Sequence, residues 1–524
     1  MNKFILIFIL FCSVLFAKVN YYFENSQLII KGLEMYDQIK VTVNETSFTV
    51  NSGEIKIPWQ KYLNIPIEIS PLSDTTKKIV LNIDASKDLP PKIDFIISGY
   101  YVTADRLSFP IKISDDWDEL DKLTMRFFLD GNQTELVKVK DGFLEIDNFF
   151  IHSGEHALRI VCKDSNSNVT DKTYRFFVVP HLPSPPAVNG NNIISSRTHR
   201  AYWIENGELY FEDSKSNSLK KDMAFICDVD GAGNESFPSL LYQTKINNQI
   251  SPGNIITLNS GILANGEYTV FGKIVIPSGE TVLIKSGGVL RIPAGCEIAI
   301  KGNLIAESGS KILGQGKLII TDEGKLILNN SKIEVQIVIS GASMFWGSNL
   351  DLSRSYLEVN RSLAISLKNV KAKQITFTNV RKLWINSCEI SQLTLKHISS
   401  FLINDSKINR INVSDFSKGK IYSTSFYSED TALSLENFSF VQMIDSWLSA
   451  KKCVQIQDYS VMRVRSTQFN ADTGVVLSGY SIFDSFACMI SASIAIQLRD
   501  SRATLLKTEL LGEVVKIGKS EFRK

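Results

Sequence analysis

Three aspartates in the C-terminal half of the chain recur with a spacing that could align their carboxylates. Asp405, Asp445 and Asp484 each stand directly before a serine in similar short segments. Two carboxyl groups flanking a glycosidic bond can hydrolyse it, but residues 250–524 contain a single histidine, His397, and no acid–base cluster beside it. A carboxylate that hydrogen-bonds its own turn is the simpler interpretation. The sequence therefore predicts no catalytic residue, no metal ligand and no cofactor.

Aromatic residues recur through the same region and are the best candidates for contact with a ligand. The set comprises Phe345, Trp346, Trp384, Phe426, Tyr427, Trp447, Tyr459 and Tyr480. Because sugar rings stack on exposed aromatic faces, we predict that Trp346, Trp384 and Trp447 bind a ligand. The alternative is a stack of rings buried inside the fold, since large aromatic side chains are usually well buried.

The elements that carry these residues are about ten short repeats, each a small or polar pair followed by an apolar strand. The repeat markers are Ser331, Asn349, Asn369, Ser387, Ser406, Ser425, Ser446, Ser466, Ser485 and Thr508, spaced 18 to 23 residues apart. That length is too short for paired-helix repeats and suits one coil of a β-solenoid. A leucine-rich repeat is excluded because its fixed leucine pattern is absent, and the Ile, Val, Phe and Thr content is typical of strands.

A second β pattern, residues 266–313, precedes these repeats. Short alternating apolar runs are separated by Pro-Ser-Gly, Ser-Gly-Gly and Pro-Ala-Gly corners, where glycine permits sharp bends. The segment, including residues 302–310, resembles the opening coils of secreted right-handed parallel β-helix proteins with the pectin-lyase-like scaffold. The resemblance covers residues 250–524 and implies the fold. It implies no activity, because the motifs of polygalacturonases and pectate lyases are absent.

Two segments nearer the N-terminus have the size of Ig-like β-sandwiches. Residues 89–180 contain a Gly-x-His strand at 154–156 and an Asp-x-x-x-Asn-x-Thr turn at 164–170, a combination that resembles bacterial Ig-like domains. Residues 18–88 show the same strand lengths and alternation without so sharp a motif. We predict one β-sandwich in each segment.

A third segment, residues 181–249, begins with a Pro-rich joint that breaks strand structure. Its Asp-x-Ala-Gly-Asn-x-Ser turn at 230–236 resembles fibronectin type III-like modules. A calcium loop at 228–235 is not predicted, because the ligand spacing of such loops is missing. We expect the module to cap the N-terminal end of the solenoid, where an open β-helix exposes unpaired strand edges.

Residues 1–17 have the features of a signal peptide: Lys3, an apolar run and Ala17. They predict export to the extracellular space, the cell surface or the periplasm, with no integral membrane span in the mature chain. An uncleaved anchor is the alternative. The net charge of +2, from 57 basic and 55 acidic residues, provides no general attraction to nucleic acid.

Six cysteines follow the predicted signal peptide: Cys162, Cys227, Cys296, Cys388, Cys453 and Cys488. They are widely spaced and lie in apolar, strand-like runs, so we expect small buried hydrophobic side chains. Disulfide bonds are the alternative in an exported protein.

The sequence thus predicts an all-β protein, a right-handed parallel β-helix preceded by two or three Ig-like or fibronectin-like β-sandwiches. The favoured function is binding or architecture at the cell surface or envelope, in contact with polysaccharide or a surface protein. The alternative is a polysaccharide lyase or glycoside hydrolase with an unrecognised site. A carboxylate cluster with a basic partner in a cleft would favour the enzyme, and a face with exposed aromatic rings would favour binding.

Overall fold

The computed structural model describes residues 19–524 apart from positions 25–26, 35–36, 52, 59–65, 84–88, 98, 103–106, 166, 180, 191, 220, 232 and 245. The predicted signal peptide, residues 1–17, lies outside the described residues. The described chain is all-β, and its helices are the single 3-10 turns Leu120–Lys122 and Asn148–Phe150. Neither turn approaches the length needed to cross a membrane. The chain divides into two compact units, Met1–Val178 and Val179–Lys524.

The first unit begins with two antiparallel sheets around one apolar core. Their strands are Asn20–Glu24, Gln27–Lys31, Gln38–Val43, Thr46–Asn51, Ile55–Pro58, Pro66–Pro71 and Ile79–Asn82. Burial alternates along the strand that contains Ile39 and Val41, both fully buried. Each sheet therefore turns one face to the core, as the alternation in the sequence predicts.

Two further antiparallel sheets complete this unit. Their strands are Lys92–Phe95, Tyr100–Val102, Leu107–Ser114, Thr124–Leu129, Asn132–Gln133, Val137–Lys140, Phe143–Ile146, Gly154–Lys163 and Val169–Val179. The last two form a long hairpin that contains the predicted Gly-x-His strand and the turn after it. The sheets of this unit resemble those of Ig-like domains.

The second unit begins with a small antiparallel module, residues 187–242. Its strands are Ala187–Asn189, Asn192–Ile194, Thr198–Glu205, Glu208–Ser214, Met223–Val229 and Ser239–Tyr242. The strand Met223–Val229 is buried at every position. Ala224 and Ile226 pack within the module, and Phe225 and Cys227 pack against the solenoid. The fibronectin type III identity of the module stays a prediction.

The rest of the unit is a β-solenoid of about 13 turns. Its first strands are Gly253–Ile255, Gly261–Leu263, Gly266–Val270, Lys273–Ile276, Thr281–Ile284, Gly288–Arg291, Glu297–Ile300, Asn303–Ala306, Lys311–Leu313, Lys317–Thr321, Lys325–Asn329, Lys332–Ile333, Gln336–Ser340, Met344–Asp351 and Leu357–Thr378. The others are Val380–Asn386, Glu389–Lys396, Ser400–Asn404, Lys407–Ser414, Lys418–Tyr422, Ser425–Leu435, Phe440–Ile444, Trp447–Ile456, Val461–Arg465, Gln468–Leu477, Ile482–Phe486, Met489–Arg499, Arg502–Leu506, Glu509–Ile517 and Glu521–Arg523.

Strands of successive coils pair in parallel, so equivalent residues stack in columns along the solenoid. For example, Trp384 pairs with Leu402 on the next coil, and Leu402 pairs with Lys420 on the coil after that. Inward-facing Ile, Leu, Val and Phe side chains form one continuous core. The solenoid predicted from the repeats is therefore confirmed.

Eight of the ten repeat markers lie at, or directly after, one corner of their coil; Ser425 and Ser485 are the exceptions. Asn349, Asn369, Ser387 and Ser466 adopt φ values of 52°, 52°, 53° and 48°, a left-handed conformation that asparagine tolerates well. The Asn369 side-chain amide donates to Asn349 Oδ1 at 2.9 Å, which links two coils. A short polar side chain that tolerates left-handed backbone therefore marks the repeat at most of these corners, and Ala487 and Lys507 replace it in two of the last coils.

The three aspartates of the repeats do not share one environment. Asp405 and Asp445 lie at this corner with φ values of 47° and 49°, and Ser387 Oγ donates to Asp405 Oδ2 at 3.1 Å. Asp484 instead lies within the strand Ile482–Phe486. The expected equivalence of the three is therefore wrong for Asp484, because the corner residue of that coil is Ala487, in register with Ser466, and Asp484 lies three residues before it.

All six described cysteines are free, and all except Cys296 are buried. This confirms the expected role as buried small side chains for five of them, whereas Cys296 is only partly buried. Burial raises the thiol pKa of Cys453 to about 12 and that of Cys488 to about 11. Such thiols are inert at neutral pH, because the reactive form is the thiolate.

Candidate functional site

The module covers one side of the solenoid, which we call the lateral sheet. This side is formed by strands such as Thr281–Ile284, Asn303–Ala306 and Lys325–Asn329, with their in-register neighbours on later coils. Its outward apolar residues Leu283, Ile305 and Ile327 pack against Met223 and other apolar residues of the module. The module thus lies along the side of several coils. We expected it to cap the N-terminal end of the solenoid, but its main apolar contacts are with this lateral sheet.

Two of the predicted ligand-binding residues lie under the module. The Trp384 ring is 5.6 Å from Tyr202 and 5.9 Å from Phe225, measured between ring centroids, and the residue is only 2% exposed. Trp346 lies 5.6 Å from Phe225 and is partly buried. Burial leaves Trp384 without a free face for a sugar ring. Trp384 is therefore part of a buried aromatic cluster, which was the alternative interpretation.

Trp447 lies on a different face of the solenoid. Its ring makes an edge contact with Tyr427, with the centroids 4.6 Å apart. Tyr427 is half exposed and Trp447 is partly buried. A ligand-binding role for Trp447 stays a prediction.

A buried carboxylate ties the module to the lateral sheet. Glu235, in the predicted turn, accepts hydrogen bonds from Arg200 at 2.8 Å, from the Tyr202 hydroxyl, and from Lys382 of the solenoid at 3.0 Å. Burial alone would raise the pKa of Glu235, but Lys382, Tyr202 and Arg200 together hold it below the ordinary value. Sequence analysis assigned this segment only as a turn and missed its role as an interface anchor.

A column of side chains lies at the corner that precedes each lateral strand. The repeat markers lie at the other end of these strands. We call this column of side chains the corner column: Arg361, Asn379, His397, Phe416, Phe438, Tyr459 and Tyr480, one residue from each successive coil. The four aromatic residues are 67%, 54%, 54% and 63% exposed. Their rings stack with centroids 5.3, 5.2 and 5.5 Å apart and interplanar angles of 4°, 4° and 18°.

The aromatic half of the column has a local sequence cause. Each ring belongs to a triplet of Asp, Asn or Gly, then Phe or Tyr, then Ser, at 415–417, 437–439, 458–460 and 479–481. The serine side chain is buried and forms a hydrogen bond to a backbone carbonyl of the same turn. Ser417 Oγ donates to the Ser414 carbonyl at 2.6 Å, and Ser439 Oγ donates to the Glu436 carbonyl at 2.7 Å. The first two positions of each triplet take left-handed backbone conformations, so the ring points outward.

The stack is not explained by stability. Phe416, Phe438, Tyr459 and Tyr480 all have φ of 60–61°, which costs roughly 1–2 kcal/mol for each non-glycine residue. Each aromatic contact stabilises by about 0.5–1.5 kcal/mol, and four strained residues share only three such contacts. Strained conformations of this kind concentrate at functional sites.

Replacing Phe438 by glycine tests this argument. We expect the free energy of unfolding to change by less than about 1 kcal/mol, because glycine relieves the left-handed strain while two ring contacts are lost. Chemical denaturation measures the change. The core variant Leu433→Ala is the comparison, with an expected loss of about 2–5 kcal/mol. A loss of that size in Phe438→Gly would show that the stack is structural.

A groove of about 520 Å³ borders the Phe416 end of the column. It is lined by Arg361, Arg381, His397 and Phe416, and by Glu208, the first residue of the module strand Glu208–Ser214. Within the described residues, neither guanidinium group has a hydrogen bond or ion pair to the protein. Phe438 covers one face of the Phe416 ring, and Phe416 lines the groove together with both arginines.

The acidic group nearest the ring is already compensated. Asp415 accepts a hydrogen bond from the Asn437 amide at 2.8 Å and lies 3.4 Å from Lys396. The Asn437 hydrogen bond, with Lys396 and Ser414, holds the pKa of Asp415 below its ordinary value. The groove therefore combines an aromatic ring with two guanidinium groups that have no partner among the described residues, and with the single further carboxylate of Glu208. No group of three His, Cys, Asp or Glu residues that could hold a metal occurs in the described part of the chain.

No protein family matches this chain, and no curated protein matches it. Similar solved structures include SGBP-B of the Bacteroides ovatus mixed-linkage glucan utilization locus, in complex with a mixed-linkage heptasaccharide, at 17% identity and a TM-score of 0.15. The match covers 33% of this chain and 54% of that chain. The N-terminal Ig1-2 module of the Drosophila receptor protein tyrosine phosphatase DLAR matches at 13% identity and a TM-score of 0.18, covering 29% of this chain and 98% of that chain. At such TM-scores the likenesses support no conclusion about function.

Proposed function

We propose that this chain is an exported polysaccharide-binding protein and that its solenoid holds an acidic polysaccharide at the corner column. The observation that carries the proposal is the groove that Phe416 lines together with Arg361 and Arg381. Aromatic faces bind the apolar faces of sugar rings. Arginine forks bind carboxylate or sulfate groups through paired hydrogen bonds.

The rest of the column supports the same ligand class. The stacked rings of Phe438, Tyr459 and Tyr480 extend the column over three further coils and present their edges to solvent, so a polymer has more surface to contact than a single sugar would. Exposed apolar surface rimmed by polar groups is typical of interaction sites. The signal-like N-terminus favours a location outside the cell, where such polymers occur.

The proposal is tested by depletion of the full-length protein from solution by insoluble or immobilised polysaccharides. Acidic polymers bearing carboxylate or sulfate are compared with neutral polymers of similar linkage. We expect retention by at least one acidic polymer. Phe416→Gly should weaken retention about tenfold, the effect of losing roughly 1.4 kcal/mol of contact, because the ring that stacks on the sugar is removed.

Phe271→Ala is the matched control. Phe271 is 53% exposed on the same solenoid but lies outside the corner column, so its replacement should leave retention unchanged. Absence of retention by any acidic polymer would contradict the proposal. Equal losses in Phe416→Gly and Phe271→Ala would place the binding surface elsewhere.

A further inference from the structure

A second cavity lies between the module and the first coils of the solenoid. It has a volume of about 700 Å³, within the range of roughly 300–1,000 Å³ found for small-molecule sites. Asp222 and Gln243 line it from the module side, and Thr281, Asn303 and Lys325 line it from the coils. It shares no lining residue with the groove at the corner column.

The strand register explains why this cleft is polar. Thr281, Asn303 and Lys325 pair in parallel on successive coils and form one outward column of the lateral sheet. Two positions further along the same strands, the outward column is apolar and packs under the module: Leu283, Ile305 and Ile327. The module therefore covers the apolar column and leaves the polar one lining an open cleft.

Lys325 is the unusual member of the polar column. Its ammonium has no hydrogen bond or ion pair among the residues that the structure describes. Burial lowers its pKa, and the carboxylates of Glu323 and Asp222 act in the opposite direction. Glu323 is already engaged, since it accepts a hydrogen bond from the Gly207 backbone N–H. A partly desolvated cation without a close partner is costly, and an anionic ligand would complement it.

The groups around Lys325 suit hydroxyl-bearing ligands. The Asn303 amide donates to Thr281 Oγ1 at 2.8 Å, which fixes the amide orientation and leaves its oxygen as an acceptor. Gln243 adds a further amide that can both donate and accept, and Asp222 adds a carboxylate acceptor. The cleft is also lined by Lys301, which pairs with Asp322 at 3.2 Å, and by Glu323, which is bonded to Gly207. Lys325 is therefore the lining cation without a partner among the described residues, and the cleft is complementary to one acidic group on a polar, hydroxylated body.

We propose that this cleft is a separate binding site for a small polyhydroxylated anion, either a sugar acid or a sugar phosphate, with the acidic group at Lys325. The amides of Asn303 and Gln243 hold its hydroxyl groups. The proposal does not depend on polysaccharide binding at the corner column, because the two sites are lined by different residues.

The test is calorimetric titration of the full-length protein with glucuronate, glucose 6-phosphate and glucose. We expect saturable binding of at least one acidic sugar, and glucose should bind at least about tenfold more weakly. The comparison of carboxylate with phosphate shows which anion fits. Lys325→Met should weaken binding of the acidic sugar by about tenfold or more, the effect of removing a charge-assisted hydrogen bond.

Lys317→Met is the matched control, because Lys317 is exposed on the same solenoid and does not line the cleft. The affinity of Lys317→Met for the acidic sugar should equal that of the unaltered protein. If Lys325→Met does not fold, Asn303→Ala and protection of Lys325 from acylation by bound sugar, read by mass spectrometry, serve instead. Failure of both acidic sugars to bind, equal binding of glucose, or unchanged affinity without Lys325 would overturn the proposal.

Discussion

Replacing Glu235 by glutamine is expected to loosen the module from the solenoid by about 2–3 kcal/mol. Removing one partner of a fully buried ion pair costs about 3–5 kcal/mol. The side chains of Arg200 and Lys382 keep 21% and 23% of their surface exposed, so solvent reduces the effect. The local opening of the module interface is the quantity that changes.

Hydrogen–deuterium exchange of the strand Met223–Val229 measures that opening, because local opening controls backbone exchange. A loss of 2–3 kcal/mol corresponds to exchange that is about 30- to 150-fold faster. Asp213→Asn is the control, since Asp213 also pairs with Arg200 but is 43% exposed and should contribute less than about 1 kcal/mol. Equal protection in both variants would mean that apolar packing alone holds the module.

The same carboxylate makes a pH-dependent contribution. Its pKa is held below the ordinary value of 4.5 by Lys382, Tyr202 and Arg200, despite burial. The contribution of Glu235 to stability is therefore complete above pH 4.5 and is lost as the pH falls through the lowered folded-state pKa. The unaltered protein should lose protection in Met223–Val229 below pH 4.5, and Glu235→Gln should lose less over that range.

The solenoid could be predicted from sequence because its causes are local. Each coil repeats a corner residue that tolerates left-handed backbone, such as Asn349 or Ser387, and an alternating apolar strand that follows it. Parallel stacking then places equivalent residues in columns, so a repeat of about twenty residues is enough to indicate the fold. The exception at Asp484 shows the limit: the corner residue of that coil is Ala487, which has no polar side chain to mark it.

The binding residues were harder to predict because exposure depends on contacts between distant segments. Trp384 lies in an outward column and would be exposed on an isolated solenoid, but Tyr202 and Phe225 of the module cover it. Nothing in the repeat pattern reports that contact. The corner column did have a sequence signal. The triplets ending in Ser417, Ser439, Ser460 and Ser481 recur every 21 or 22 residues, yet the repeat was marked at the other corner.

Replacing both Arg361 and Arg381 by glutamine is expected to weaken binding of an acidic polysaccharide about 100-fold. Each charge-assisted hydrogen bond contributes about 1.5–3 kcal/mol, and neither guanidinium has another hydrogen bond or ion pair among the described residues. For the same reason the protein should fold as before, because no internal ion pair is broken. Equilibrium binding to a soluble oligomer of the retained polymer measures the change.

The salt dependence separates charge recognition from a general effect of net charge. Affinity of the unaltered protein should fall between low and physiological ionic strength, because partly exposed charges are screened, and the double variant should show little such change. Arg126→Gln with Arg354→Gln removes the same charge from exposed positions outside the groove. If that control loses as much affinity as the double variant, long-range attraction explains binding. If only the Arg361 and Arg381 double variant loses affinity, these two arginines contact the acidic groups of the polysaccharide directly, and Phe416 stacks on its sugar ring.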